Sequence, residues 1–146
     1  MSFGAISAPA VQALSRGAGA AGCWMDTGEG GLSPHHLAGN CDVIMQIGTA
    51  KYGIRNSDGT FSAERAKELG HVVKAFEIKL SQGAKPGKGG VLLGGKVTEE
   101  IARIRGIPVG EDSISPNRHY DIANVDDLLD RVAYVRNLLH AATVAG

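Results

Sequence analysis

Cysteine is nearly absent from this chain. Cys23 and Cys41 stand apart, outside any CxxC spacing, which excludes a disulfide scaffold and a thiolate metal site and leaves free buried thiols in a reducing compartment as the reading. Neither charge is in excess, with 15 basic against 15 acidic residues, so no overall field draws the protein to nucleic acid or to an anionic membrane. Apolar runs fall far short of the roughly 20 residues that a membrane span requires, and the first residues lack the charged-then-apolar order of a secretion signal. A soluble, cytoplasmic chain is expected. His35 and His36 adjoin each other with no carboxylate or cysteine at ligand spacing, so no metal site is expected either. What the sequence does have is glycine, 21 residues clustered at 28–31, 87–90 and 94–95, and such clusters mark shaped loops rather than a linker. The length, 146 residues, fits one domain.

Strand and helix signals alternate along the chain. "MSFGAIS" (1–7) reads as a short buried strand, and Ser7 with Pro9 opens a helix to about residue 20. "CWMDTG" (23–28) is a second strand, and "CDVIMQIG" (41–48) a third, with Val43, Met45 and Ile47 on one face. Ser62 caps a helix whose apolar side carries Ala66, Leu69, Val72 and Val73. "AFEIKLSQ" (75–82) alternates Phe76, Ile78 and Leu80 with polar residues and is the fourth strand. Thr98 caps "EEIARIRG" (99–106), whose early glutamates and late arginines suit the two ends of a helix dipole, and Gly106 stops it. Asn124 with Asp127 three residues later opens the last helix, in which Val125, Leu128, Leu129, Val132, Val135 and Leu139 repeat at three and four. This succession predicts a parallel α/β sheet, open or closed into a barrel, with its chemistry on loops leaving the carboxyl ends of strands.

The glycine loops sit at those ends. Gly90, Gly95 and Lys96 match most of the nucleotide-cradling GxxxxGK pattern, but Val97 follows where a magnesium-binding hydroxyl is required, and no GxGxxG occurs. Residue types alone leave several readings open. Lys85 and Lys88 in "GAKPGKGG" (83–90) serve equally as solvated loop cations or as ligands of an anion. Glu29 can be a cap, Gln46 a partner for backbone groups, and Arg105 a solvated helix-end cation.

Six segments, "MSFGAIS", "TGEGG" (27–31), "MQIGTAKYGI" (45–54), "EIKLSQGAKPGKGG" (77–90), "KVTEEIARIRG" (96–106) and "ISPNRHYDI" (114–122), occur in this order. Together they resemble the FMN-binding synthase domain of the glutamate synthase family, and the wording is closest to the stand-alone glutamate-synthase-like type. The resemblance implies a (β/α)8 TIM barrel, of which residues 1–146 supply a partial synthase domain, roughly the first four β/α units. It implies FMN at the carboxyl-end face and a reductive amination of 2-oxoglutarate with ammonia to glutamate. Carried onto this chain, the family's cofactor contacts fall on Ser2, Gly4, Ala5, Thr27, Gln46 and Lys85. Lys85 and Glu29 take the catalytic positions, the first stabilising negative charge or moving a proton, the second transferring protons during imine formation. Arg105 and Lys51 fall at substrate-binding positions; Lys51 replaces an arginine of the large enzymes, keeping charge but losing the fork.

Departures from the family pattern matter as well. Val91 stands where the large enzymes carry a glutamine that helps bind 2-oxoglutarate, so a related keto acid is also compatible, and Asn117 with Arg118 replaces a pair of prolines. A complete barrel takes about 250 residues, and the iron-sulfur cysteines of the family are not in this chain. The expectations are that the isolated chain binds FMN weakly or not at all, does not turn over alone, and self-associates or pairs with a missing barrel half. Two other readings are a non-redox phosphate-binding barrel fragment and a non-catalytic truncated chain.

Overall fold

The computed structural model describes residues 1–83, 85 and 87–144, with side chains through Leu139. Its centre is a three-stranded parallel sheet in the order β1 (Met25–Asp26), β2 (Val43–Ile47), β3 (Ala75–Ile78). Met25 pairs with Val43, and Ile44 through Ile47 pair with Ala75 through Ile78. β2 lies in the middle because its side chains are apolar enough to be covered on both faces: Val43, Met45 and Ile47 are buried, and so is Gln46.

Four helices flank the sheet: α1 (Ala8–Ala21), α2 (Ala63–Gly70), α3 (Glu99–Arg105) and α4 (Val125–Val144). Their ends follow from local chemistry. The Ser62 and Thr98 hydroxyls accept from the amides of Arg65 and Ile101, satisfying donors that a helix start leaves free. Gly106 ends α3 in a left-handed conformation at φ 71°. At the start of α4 the Asn124 side chain accepts from the Asp127 amide, and the Asp127 carboxylate accepts from the Ala123 amide, a reciprocal cap. Ser7 occupies the first N-cap without a side-chain bond, and Pro9 suits the opening turn there.

Two apolar clusters hold these elements. One joins Val43, Met45 and Ile47 of β2 to Ile54, to Ala66 and Leu69 of α2, and to Val135 of α4. The other packs Phe3, Val11 and Met25 against Leu92, Val97 and Ile101.

Several elements differ from the sequence expectation. Residues 1–7 form a tight turn with a lone Phe3–Ile6 bridge rather than a strand, because Gly4 at φ 100° folds the backbone back and Ser2 O accepts from the amides of Ala5 and Ile6. A two-stranded antiparallel ribbon, β4 (Val91–Leu92) with β5 (Ser113–Ile114), was not foreseen. The apolar stripe of α4 is only partly covered: Val135 is buried, but Val125 and Leu129 are 69% and 59% exposed. Val72, expected inward, is also exposed. Both cysteines are free, and Cys23 is exposed rather than buried. The described residues thus form a mixed α/β unit with an open parallel sheet. Among them no helix is long and apolar enough to cross a membrane.

Candidate functional site

A cleft of about 310 Å³ opens beyond the carboxyl ends of the strands. The turn of residues 2–5 forms one wall, with Ser2, Gly4 and Ala5. Gln82 and Lys85 from the loop after β3 face Gly90, Val91 and Leu92. Glu29, Lys96 and Arg105 complete the boundary.

Arg105 is the most informative of these residues. It ends α3 yet is only 4% exposed, so it is not a solvated helix-end cation. Its Nη1 donates to the Ser113 hydroxyl at 3.0 Å, and that hydroxyl donates to Tyr52 Oη at 2.8 Å. Nη2 reaches Ser2 Oγ and Phe3 O at 3.5 Å, and the guanidinium lies 5.0 Å from the centre of the Tyr52 ring. Nε is buried without a partner among the described residues. Burial lowers the guanidinium pKa from its ordinary value, opposed by the Tyr52 and Glu29 charges; the group stays cationic. No carboxylate among the described residues forms an ion pair with it.

Glu29 stands in the TGEGG loop after β1, and its Oε1 accepts from the Ser115 hydroxyl. Ser113 and Ser115 are two residues apart along an extended segment, so both side chains fall on one face; both are buried while Ile114 points to solvent. One serine therefore holds the site's guanidinium and the other its carboxylate. The loop carrying Lys85 packs on the same segment. A Cβ at Gly89 would collide with the Ser115 carbonyl, and one at Gly90 would come within 2.5 Å of Glu29 Oε2. These two glycines allow the loop to close down on β5. Lys85 is exposed on the rim; its neighbours Ala84 and Pro86 lie outside the described residues.

The remaining sequence candidates lie elsewhere. Thr27 is fully buried, its hydroxyl donating to Gly28 O and accepting from the Gln46 amide, both at 3.0 Å. It clamps β1 to β2 and does not line the cleft. Gln46 is buried and does not line the cleft; its Nε2, near Gly48 and the Glu29 side chain, lacks a partner among the described residues. Lys51 is 2% exposed, at a left-handed φ of 54°, with Nζ 2.8 Å from Asp121 and 4.2 Å over the Tyr120 ring. Asp121 also pairs with Arg131 at 2.7 Å. Burial alone would raise the Asp121 pKa, but the Lys51 hydrogen bond and the Lys51 and Arg131 charges hold it below the ordinary value. The structure therefore places the buried Lys51 in an ion network with the half-buried Asp121 and Arg131, and not at the cleft.

Two histidines fix the surroundings. His36 Nδ1 accepts from the Ser33 amide and hydroxyl, and its Nε2–H donates to Met1 O at 2.8 Å, tying the loop after β1 to the turn that walls the cleft. His119 Nε2–H donates to Lys79 O at 2.9 Å. Burial is the main reason that both pKa values are lowered. Sequence reasoning missed Ser113, Ser115, Tyr52 and Gln82, and weighed Lys96 only as part of a nucleotide loop; among the missed residues only the Ser-Ile-Ser alternation carried a signal, since period two puts both serines on one face.

The described residues thus define an α/β protein with a polar cleft at the carboxyl edge of its parallel sheet, bordered by a buried arginine and a hydrogen-bonded carboxylate. Comparison with known proteins specifies which. The family model "Conserved region in glutamate synthase" matches residues 1–145, and the chain belongs to the glutamate synthase family. It is 46% identical over 141 residues to the glutamate synthase large subunit-like protein YerD of Bacillus subtilis, covering 94% of this chain and 27% of that protein. It is 40% identical over 128 residues to the archaeal-type glutamate synthase [NADPH] of Thermotoga maritima (88% of this chain, 23% of that one). The archaeal glutamate synthase [NADPH] of Methanocaldococcus jannaschii is 40% identical over 135 residues, covering 90% of this chain and 24% of that one. The chain thus spans about a quarter of the length of these relatives.

Proposed function

We propose that this chain forms the keto-acid-binding and flavin-facing part of a glutamate-synthase-like oxidoreductase, its elements being the opening units of a (β/α)8 barrel. The observation that carries this reading is Arg105, a buried guanidinium on the cleft with no carboxylate paired to it among the described residues. A buried charge is costly until it is paired, and a planar fork suits a carboxylate ligand. Lys85, Lys96 and Arg105 oppose Glu29 alone at the cleft, leaving two positive charges in excess. That excess matches a dicarboxylate such as 2-oxoglutarate. Val91, on the same wall, offers no hydrogen bond to it, so Arg105 and the lysines must supply the anchoring.

The donor set also fits FMN. Gln46 Nε2 is a buried donor without a partner among the described residues, close to Gly48 and the Glu29 side chain and suited to a ring heteroatom, and Ser2, Gly4 and Ala5 line the cleft itself. When bound, reduced FMN supplies the hydride. In this reading Arg105 orients the substrate carboxylate, Glu29 held by Ser115 moves protons as ammonia condenses with the keto group, and Lys85 offsets negative charge at the reacting end. The net change consumes ammonia, two electrons and two protons and releases water.

The test is an NMR titration of the isotope-labelled chain with 2-oxoglutarate, with and without FMN. Saturable shifts are expected at Ser2, Gly90 and the Arg105 side chain, and Arg105→Gln should abolish them. Absence of shifts under both conditions, or equal binding by a folded Arg105→Gln variant, would overturn the assignment.

A further inference from the structure

Another cleft, of about 420 Å³, shares only Arg105 with the one described above. Three side chains of Arg55, Arg65 and Arg103 line it together with Leu32 and Pro34, and the last turn of α3 with Gly53 forms the remainder. No acidic residue among the described residues lines it. The forks are poorly occupied: Arg103 has no ion pair among the described residues, and Arg55 donates from Nη1 to Ala50 O at 3.3 Å while its Nε is buried without a partner. Arg65 pairs with Glu68, one turn along its own helix, where both side chains are more than half exposed; such a surface pair is weak and easily exchanged.

Three arginines thus border one cleft that has no acid in its described lining, although Arg65 has Glu68 beside it and the Arg55 guanidinium lies against Gly59 next to Asp58; the like charges repel one another, and an unsatisfied buried N–H adds to the cost. In a chain with no net charge the accumulation is local. A single carboxylate offers two oxygens and one charge, whereas a phosphate or diphosphate offers three or more oxygens and about two charges or more, matching several forks at once. Leu32, Pro34 and Ile104 supply an apolar wall beside the arginines, and the volume lies in the range of small-ligand pockets. We infer that this cleft binds the phosphate or diphosphate group of a small metabolite, separately from the keto-acid cleft. The two clefts meet at Arg105, and the guanidinium of Arg105 is held by Ser113 and reaches Ser2, which lines the first.

Inorganic pyrophosphate is the probe, titrated against the isotope-labelled chain at constant ionic strength with inorganic phosphate and malonate in parallel. Saturable shifts should appear at Gly53, Arg55, Arg103 and Gly106, with pyrophosphate bound at least tenfold more tightly than malonate. Arg55→Gln combined with Arg103→Gln should weaken pyrophosphate binding at least tenfold and leave the 2-oxoglutarate response unchanged. If the double variant does not fold, Arg103→Gln alone, at an exposed position, should weaken binding at least threefold. Lack of saturation, unchanged binding in the folded variants, or equal affinity for malonate would each overturn the inference. Loss of 2-oxoglutarate binding alone would count only against the first cleft.

Discussion

Arg105 shows how a single residue changes meaning with its surroundings. At the end of α3 it complements the helix dipole, but Ser113 and Tyr52, the latter 53 positions earlier, draw it inward. Removing the Ser113 hydroxyl leaves Nη1 without its closest partner while Nε is already unsatisfied. Ser113→Ala should therefore lower stability by about 1–3 kcal/mol, the cost of an unmet buried donor, read as the denaturation midpoint in urea. An unchanged midpoint would mean that the guanidinium turns to water at no cost. The buried histidines set a pH dependence whose sign follows from their lowered pKa values. In the fold both are held neutral, and in the unfolded chain they protonate near the ordinary value of about 6.5. Their contribution is thus complete above about pH 6.5 and declines as pH falls from there toward the depressed folded values. Asp121, also lowered, loses its contribution only at pH below the ordinary aspartate range. Thermal melts should show a falling transition temperature between about pH 7 and pH 5, with a shallower fall in His119→Gln, whose amide can still donate to Lys79 O. An equal slope in both proteins would exclude His119 as a source.

At the scale of elements, legibility tracked how local the determinants are. The caps of α2, α3 and α4 were readable because Ser62, Thr98 and Asn124 bond amides three residues away. β2 was readable from its alternation. The β4–β5 ribbon was not, since two-residue strands give no period and their pairing joins Val91 to Ile114 across 23 positions. The turn at residues 1–7 was misread as a strand because a bend at Gly4 leaves no signal in hydropathy. Of the cleft, the family likeness supplied Ser2, Gly4, Ala5, Glu29, Lys85 and Arg105, but not Ser113 and Ser115, which hold Arg105 and Glu29, and Lys51 went into an ion pair with Asp121, 70 positions away. Two element-scale outcomes follow from local geometry. Asn124→Ala removes the cap of α4 and should cost about 1 kcal/mol, seen as faster amide exchange in the first turn of that helix. Gly89→Ala forces the Lys85 loop away from the Ser115 carbonyl. Chemical shifts should then move along residues 87–91 and 113–115 while α2 stays unperturbed; a spectrum unchanged at Ser115 would contradict the close packing.

At the scale of the whole molecule, the sheet is open: β1 and β3 are its outer strands, and neither pairs further among the described residues. Unpaired strand edges template contacts with other chains. Apolar side chains also face water on the ribbon and its flanks, at Val91, Leu93 and Ile114, and along α4 at Val125 and Leu129, more than scattered exposure would explain. The relatives this chain matches are roughly four times longer, so they possess further residues to lay on such faces. A polypeptide of these 146 residues should therefore associate with itself in a concentration-dependent manner and bind added FMN weakly or not at all, because one open sheet cannot enclose the flavin. Light scattering after size exclusion should give an average mass that rises with loading concentration, and flavin fluorescence should remain near that of free FMN. Supplying residues that complete the sheet, from the corresponding remainder of a relative such as YerD, should restore a defined mass and quench the flavin together. If the chain alone stays monomeric at every concentration and quenches FMN stoichiometrically, its exposed edges and apolar faces are tolerated by water and the flavin surface is complete without partners.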